Sequence, residues 1–255
     1  MRIATWNVNS IRTRRNRVVD WMTRHQPDVL LLQETKCIDD DLGANAFEAL
    51  GYEVAHFGVD HWNGVAIISR VGLGDVQAGF PGVQRPPYDE ARLLAATCGG
   101  LRIHSVYVPN GRELDDPHYL FKLVWLERLR ATIDPGVPTI MAGDFNVAPA
   151  DADIYDPKRW KRRTHASPPE RAAIDAILDR GLVDVTRHHL PDPGTFTWWS
   201  YRPGQFERNQ GLRIDLALCT PDVAQRTSKV WIDTEERAGE RPSDHAPLVV
   251  DLLPA

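Results

Sequence analysis

The chain has 255 residues, 42% of them hydrophobic and 25% charged, which suits a globular protein with a large core. Its formal net charge of −5 excludes a uniformly basic nucleic-acid binder. The absence of any run near the ~20 apolar residues of a membrane span excludes an integral helical membrane protein, and three scattered cysteines, Cys37, Cys98 and Cys219, exclude a disulfide framework or a thiolate zinc site.

The expected elements follow in chain order. Ile3–Trp6 reads as a strand, and residues 10–25 as a helix with Ile11, Arg15, Val18, Val19 and Met22 on one face. Val29–Leu32 is a buried strand, and Leu42–Leu50 a short helix closed by Gly51. Tyr52–Phe57, Gly64–Ser69, Arg92–Thr97 and Leu101–Val108 read as strands. Pro117 opens a helix carrying Phe121, Val124, Trp125, Leu129 and Ile133, which stops at Asp134-Pro135-Gly136. After a strand at Thr139–Ala142, Ser167-Pro168-Pro169-Glu170 fits a capping box. Its helix points Ala173, Ile174, Ile177 and Leu178 inward and ends at Gly181. Strands at Phe196–Trp199, Arg213–Leu218, Lys229–Ile232 and Leu248–Leu252 finish the chain. So many strands call for an α/β fold of two packed sheets with helices outside. With no repeat or linker, residues 1–255 are expected to form one domain. Met1–Trp6 lacks a secretory pattern, so a cytoplasmic location is expected.

Apolar strands repeatedly end in an oxygen-bearing or titratable side chain: Asn7, Glu34, Tyr107, Asp144 with Asn146, and Asp215. Asp244-His245 introduces the last strand. Rigid scaffolds place functional groups at such ends. Taken singly, each is a turn former, a cap or a core residue. Taken together, Glu34, Asp144 and Asp244 with the amides Asn7 and Asn146 are hard oxygen ligands suited to Mg²⁺ or Mn²⁺. His245 with Asp215 could make a carboxylate–imidazole pair, and Tyr107 offers a hydroxyl to a phosphate oxygen. These parts fit metal-assisted hydrolysis of a phosphodiester. Basic residues cluster at Arg12, Arg14, Arg15 and Arg17 and again over Lys158–Arg163, where Trp160 interrupts the run.

Six segments carry a resemblance. Thr5-Trp6-Asn7-Val8-Asn9, Leu32-Gln33-Glu34-Thr35-Lys36, Tyr107-Val108-Pro109-Asn110-Gly111, Gly143-Asp144-Phe145-Asn146, Gly211-Leu212-Arg213-Ile214-Asp215 and Ser243-Asp244-His245-Ala246-Pro247-Leu248 stand in this order. With Phe196–Arg202, they resemble exonuclease III and its abasic-endonuclease relatives in the endonuclease/exonuclease/phosphatase superfamily. The resemblance implies a four-layer α/β sandwich like that of deoxyribonuclease I, with the site at one edge between the sheets. It implies Mg²⁺, with Mn²⁺ able to substitute. Glu34 would be the principal ligand, with Asn7, Asp144, Asn146, Asp244 and His245 around the ion. Asp144 would activate water, Asn146 would position it, Tyr107 and His245 would hold phosphoryl oxygens, and Asp215 would orient His245. Arg92, Asn110, Trp198 and Ile214 would contact DNA, with Trp198 exposed and Trp199 buried. The partner would be double-stranded DNA with abasic sites or blocked 3′ ends, bound by a monomer.

Some relatives carry an acid where this chain has Asn9, which favours one principal ion over two. A phosphatase or phospholipase of the same superfamily would share the metal residues and differ on the substrate face. A non-catalytic module on this fold would lack some of Glu34, Asp144, Asp215 and His245, and all are present.

Overall fold

The computed structural model describes residues 1–82 and 90–254. One sheet holds β1 (Arg2–Asn7), β2 (Val29–Gln33), β3 (Glu53–Phe57), β4 (Val65–Ser69), β11 (Thr227–Ile232) and β12 (Leu248–Leu252), in the order β11-β12-β1-β2-β4-β3. The other holds β5 (Gly74–Ala78), β6 (Leu93–Cys98), β7 (Leu101–Tyr107), β8 (Thr139–Asp144), β9 (Val183–Asp184) and β10 (Asp215–Cys219), in the order β5-β6-β7-β8-β10-β9. The helices are α1 (Ile11–His25), α2 (Asn45–Glu48), α3 (Pro117–Ala131), α4 (Pro157–Trp160), α5 (Pro168–Leu178), α6 (Val185–His189) and α7 (Pro221–Gln225).

The strands alternate, and the alternation builds the layers. Ile3, Val29, Leu31 and Val250 face the second sheet, where Ile103, Ile140 and Ala142 meet them. Their neighbours Ala4, Trp6, Leu30 and Leu32 face outward onto Ile11, Val18, Trp21 and Met22 of α1. On the far side, Val106, Met141, Leu216 and Leu218 carry Trp125 and Leu129 of α3 and Ile174 and Ile177 of α5. The result is the expected helix–sheet–sheet–helix sandwich.

Several elements depart from the sequence reading. The helix expected over Leu42–Leu50 shrinks to α2, because its buried anchors Leu42 and Phe47 are five residues apart and cannot share one helical face. Phe196–Trp199 is no ladder strand. Trp198 makes isolated bridges to Leu212 and His245, while the Thr197 hydroxyl accepts the backbone N–H groups of Ile214 and Asp215. The strand expected from Arg213 begins at Asp215, and Arg213 leaves the ladder for a buried ion pair with Asp153. The strand expected over Thr139–Ala142 runs on to Asp144. The short elements β5, β9, α4, α6 and α7 lack the apolar run or spacing that marks the other strands and helices and are not read from the sequence.

Candidate active site

Topology brings the functional strand ends to one edge. In the first sheet, β1 and β2 are parallel, so Asn7 lies beside Gln33 and just before Glu34. The antiparallel β12 begins at the same edge, close behind His245. In the second sheet, β7 and β8 are parallel and pair Tyr107 with Asp144. The antiparallel β10 sets Asp215 opposite Asp144. Below this edge Gln33 ties the sheets together by donating to Ser105 Oγ at 3.1 Å.

Local backbone aims the side chains. Gly143 must be glycine, since a Cβ there would lie 1.9 Å from Val106 O across the β7–β8 pairing. Glu34 and Asn146 turn out of their strands with φ of 51° each, in the left-handed region that a non-glycine residue adopts only when its surroundings hold it.

Asp144 is the centre of the cluster. Its Oδ1 accepts the Asn146 backbone N–H at 2.9 Å, and its Oδ2 accepts the side-chain amides of Asn7 at 2.9 Å and Asn146 at 3.2 Å. Asn7 also donates to Glu34 Oε1 at 2.8 Å, so one amide nitrogen joins two acids. The oxygen of Asn7 accepts the Asn9 backbone N–H at 3.0 Å. Burial pushes the Asp144 carboxyl up to about 7, opposed by the His245 cation and reinforced by the charges of Asp215 and Glu34.

His245 Nδ1 meets Asp215 Oδ2 at 2.8 Å, and its Nε2 stands 3.7 Å from Asp144 Oδ2. Burial alone would lower the imidazole, but Asp215, Asp144 and Asp244 raise it to about 10. His245 is therefore a cation near neutral pH, with an N–H facing the site. Burial and then Glu34 raise the Tyr107 hydroxyl well above its ordinary range, which keeps it a neutral donor. Asp244 accepts from Trp198 Nε1 at 3.0 Å and Asn9 Nδ2 at 3.1 Å.

The chemistry of this cluster fits a divalent metal. Asp144, Asp215 and His245 offer ligand atoms within 4.8 Å of one another. Asp215 Oδ1 is buried without a partner, and Asp144 resists ionisation beside two other acids. An ion would relieve both. Glu34 and Asp244 flank the cluster with further carboxylates. His245 can join a metal only by giving up the Nε2 proton, whereas as a donor to phosphate it keeps it.

Trp199 is 2% exposed, as expected, whereas Trp198, expected to be exposed, is half-buried. Trp198 is also bound to Asp244, so it is tied to the acidic cluster itself. Asn110 is exposed at the rim and donates to Asn146 Oδ1 at 3.3 Å. Two other residues expected at the DNA are buried. Ile214 is 2% exposed and packs with Ala148, Ile154 and Leu212 beneath Trp160 and Trp198, so its apolar side chain supports that face. Arg92 is 5% exposed; it lies over the Tyr107 ring at 4.7 Å and pairs with Glu90, which makes it a brace for the tyrosine.

Sequence reasoning assigns no role at the site to His165, Lys122, Asp153 or Arg213, and reads Glu170 only as a helix cap. His165 Nε2 lies 3.0 Å from Asn146 Oδ1, and burial with the nearby Lys122 lowers the imidazole to about 3, leaving it neutral. An isolated His before Ala-Ser-Pro-Pro carries no spacing signal. Arg213 was visible as an Arg inside an otherwise apolar run. It is 1% exposed and bonded to Asp153 and Asp184.

Comparison with known proteins gives consistent likenesses. A family model described as the Endonuclease/Exonuclease/phosphatase family matches residues 4–245. An exodeoxyribonuclease III from Haemophilus influenzae is 32% identical, covering 97% of this chain and 98% of that protein. An AP endonuclease structure from Archaeoglobus fulgidus superposes with a TM-score of 0.94 at 38% identity, over 99% of both chains. A 3′ phosphatase from Neisseria, solved with a product DNA hairpin, superposes with a TM-score of 0.94 at 40% identity over 99% of both chains.

Proposed function

Because the chain belongs to the endonuclease/exonuclease/phosphatase family, we propose that it is a DNA-repair phosphodiesterase of the exonuclease III type. It acts as a monomer on double-stranded DNA, cutting 5′ to abasic sites and removing nucleotides and blocking phosphates from 3′ ends. Nucleases of this family depend on metal, and the oxygen-rich donor set suits Mg²⁺, with Mn²⁺ as a substitute. The observation that carries the reading is the buried Asp144–Asp215–His245 cluster joined through Asn7 to Glu34. No helix among the described residues is long and apolar enough to cross a membrane.

The residues then divide the work. Glu34 and Asp244 would hold the ion, with Asp144, Asn7 and Asn146 beside it. When bound, the ion polarises a phosphoryl oxygen and offsets its developing charge. Asp144, held by Asn7 and Asn146, takes the proton of the attacking water. Water oxygen bonds to phosphorus, the bond to the 3′ oxygen breaks, and the departing oxygen takes a proton from solvent water to become the 3′-hydroxyl. The His245 imidazolium and the Tyr107 hydroxyl donate to phosphoryl oxygens as negative charge accumulates. Asp215 does not touch the substrate. It fixes the His245 ring and keeps it charged.

DNA is the substrate that the flanking surface fits. Trp198 and Trp160 form an edge-to-face pair at 6.4 Å next to the site, and Lys158, Arg159 and Lys161–Arg163 are exposed beside Trp160. A labelled-substrate panel tests the reading: duplexes carrying an abasic analogue, a 3′-phosphate at a nick or no lesion, alongside inositol phosphate and sphingomyelin. Both lesion duplexes should be processed, and the non-DNA esters should survive. Hydrolysis of the non-DNA esters alone would replace this reading by the phosphatase or phospholipase one.

A further inference from the structure

Behind the site lies a buried ion pair that the hydrolysis itself does not use. Lys122 of α3 and Glu170 of α5 are both fully buried and paired with each other. A charge this deep persists only with its hydrogen bonds nearly saturated. The ammonium donates to the carbonyl oxygens of Asn146 at 2.7 Å and Asn110 at 3.2 Å, and to Thr164 Oγ1 at 3.3 Å. The carboxylate accepts from Thr164 Oγ1 at 2.8 Å and from the backbone N–H groups of His165 at 2.9 Å and Ser167 at 3.0 Å.

These bonds run outward to three loops rather than between the two helices. Apolar contacts already join α3 and α5 through Trp125, Leu129, Ile174 and Ile177. The loops are those after β7, after β8 and before α5, and they carry Asn110, Asn146 and His165. The fit is close. Gly111 has φ of 90°, and a Cβ there would lie 2.7 Å from Thr164 Oγ1 and 3.0 Å from Lys122 Cδ. Asn146 is thus pinned at its carbonyl by Lys122, while its side-chain amide is held by Val108 O at 3.0 Å and by Asp144.

We propose that Lys122 and Glu170 are positioning residues for the hydrolysis, a buried clamp that fixes Asn146 and Asn110 against Asp144. The inference rests on the nuclease reading above, since Asn146 is taken to position water and phosphate there. A small displacement of such a group costs about a hundredfold in rate.

The test uses the full chain with Lys122→Met and Glu170→Gln combined. This removes both charges and the bonds to Asn146 and Asn110 while the glutamine keeps one of the two acceptor oxygens that hold the 164–167 loop. Replacing a buried pair as a unit leaves most folds intact. The variant should fold, with kcat on 3′-phosphate duplex lowered about ten- to a hundredfold and KM nearly unchanged. Amide hydrogen exchange should accelerate in segments 108–111 and 144–148. Thr164→Val is the second variant; it removes the hydroxyl that meets Lys122, Asn110 and Glu170, and it should lower kcat by at least about two- to tenfold, the worth of one such bond. Wild-type kcat in the folded double variant would overturn the clamp. So would a loss that disappears on cooling to a temperature where the variant is fully folded, since that would mark a purely structural pair. If the double variant does not fold, wild-type kcat in Thr164→Val overturns it. If the wild type hydrolyses no DNA, the nuclease reading falls, and unchanged exchange in the two segments would sink the clamp separately.

Discussion

Asp144 is held by three hydrogen bonds, yet burial and two neighbouring acids resist its charge. A carboxylate in that state has a high proton affinity, and a nearby cation would keep it ionised and ready to act as the proposed base. Asp144→Asn keeps the shape and removes the base, so kcat should fall about 10²–10⁴-fold while DNA affinity measured by gel shift is retained. His245 and Asp215 are joined by a 2.8 Å contact and are proposed to work as one unit. Each alanine variant should lose most of the activity, and the double variant should lose far less than the product of the two. Multiplicative losses in single-turnover rates would separate them. The two tryptophans divide differently. Trp199 is buried against Phe206 and Ala246, so Trp199→Ala should lower stability by about 3–5 kcal/mol in a urea melt. Trp198→Ala should leave the fold intact and cut efficiency on lesion DNA about tenfold or more, the size of a lost stacking contact. Because Trp198 also donates to Asp244, the same variant should need more Mg²⁺ for half-maximal rate. A melt that drops for Trp198→Ala and not for Trp199→Ala would show the faces reversed.

At the scale of elements, the ends of β1, β2 and β8 are legible because an apolar run that stops at an acid or amide marks where a strand leaves the core. The long helices are legible through their three- and four-residue spacing. What is hidden depends on contacts across the chain. Nothing near Arg213 in sequence announces Asp153, 60 residues away, yet their pair ends the strand before it begins. The Phe196–Trp199 segment reads as a strand because its residues suit one, but the Thr197 hydroxyl takes the bonds that a ladder would. His165 and Glu170 acquire their meaning only when α5 docks beside α3. Asp153 also carries a pH dependence. Burial opposes its ionisation, but hydrogen bonds and charge from Arg213 and Arg187 outweigh this and hold its carboxyl below the ordinary value. A depressed folded pKa gives stability that is present above the ordinary carboxylate range, about pH 4, and is lost as pH falls through the folded value. Asp153→Asn should therefore cost about 3–5 kcal/mol at pH 7, as breaking a buried pair does. Its melting temperature should also fall less steeply than the wild type's between about pH 5 and pH 3. Parallel acid profiles for the two proteins would show that Asp153 does not couple folding to protons.

At the scale of the molecule, the two basic runs that look alike in sequence have different fates. Arg14, Arg15 and Arg17 are spent on carbonyl and carboxylate partners within the fold, at Pro242, Leu42 and Glu236. Lys158, Arg159 and Lys161–Arg163 remain exposed beside Trp160 and the site. The net charge of −5 is thus compatible with a polyanionic substrate, because part of the acid is gathered where an ion would offset it. Both sheets are needed for that gathering: Asn7 and Glu34 come from one, Tyr107, Asp144 and Asp215 from the other. The central claim is that this shared edge is a metal-dependent hydrolytic centre. The most direct measurement is the cleavage rate of an end-labelled duplex with one abasic-site analogue and a second with a 3′-phosphate, in chelator and then with excess Mg²⁺. Both reactions should stop in chelator and return with Mg²⁺, and Glu34→Gln should shift the return to higher Mg²⁺ concentration. Undiminished hydrolysis of either duplex in chelator would contradict the account, since Glu34 would then have no ion to hold.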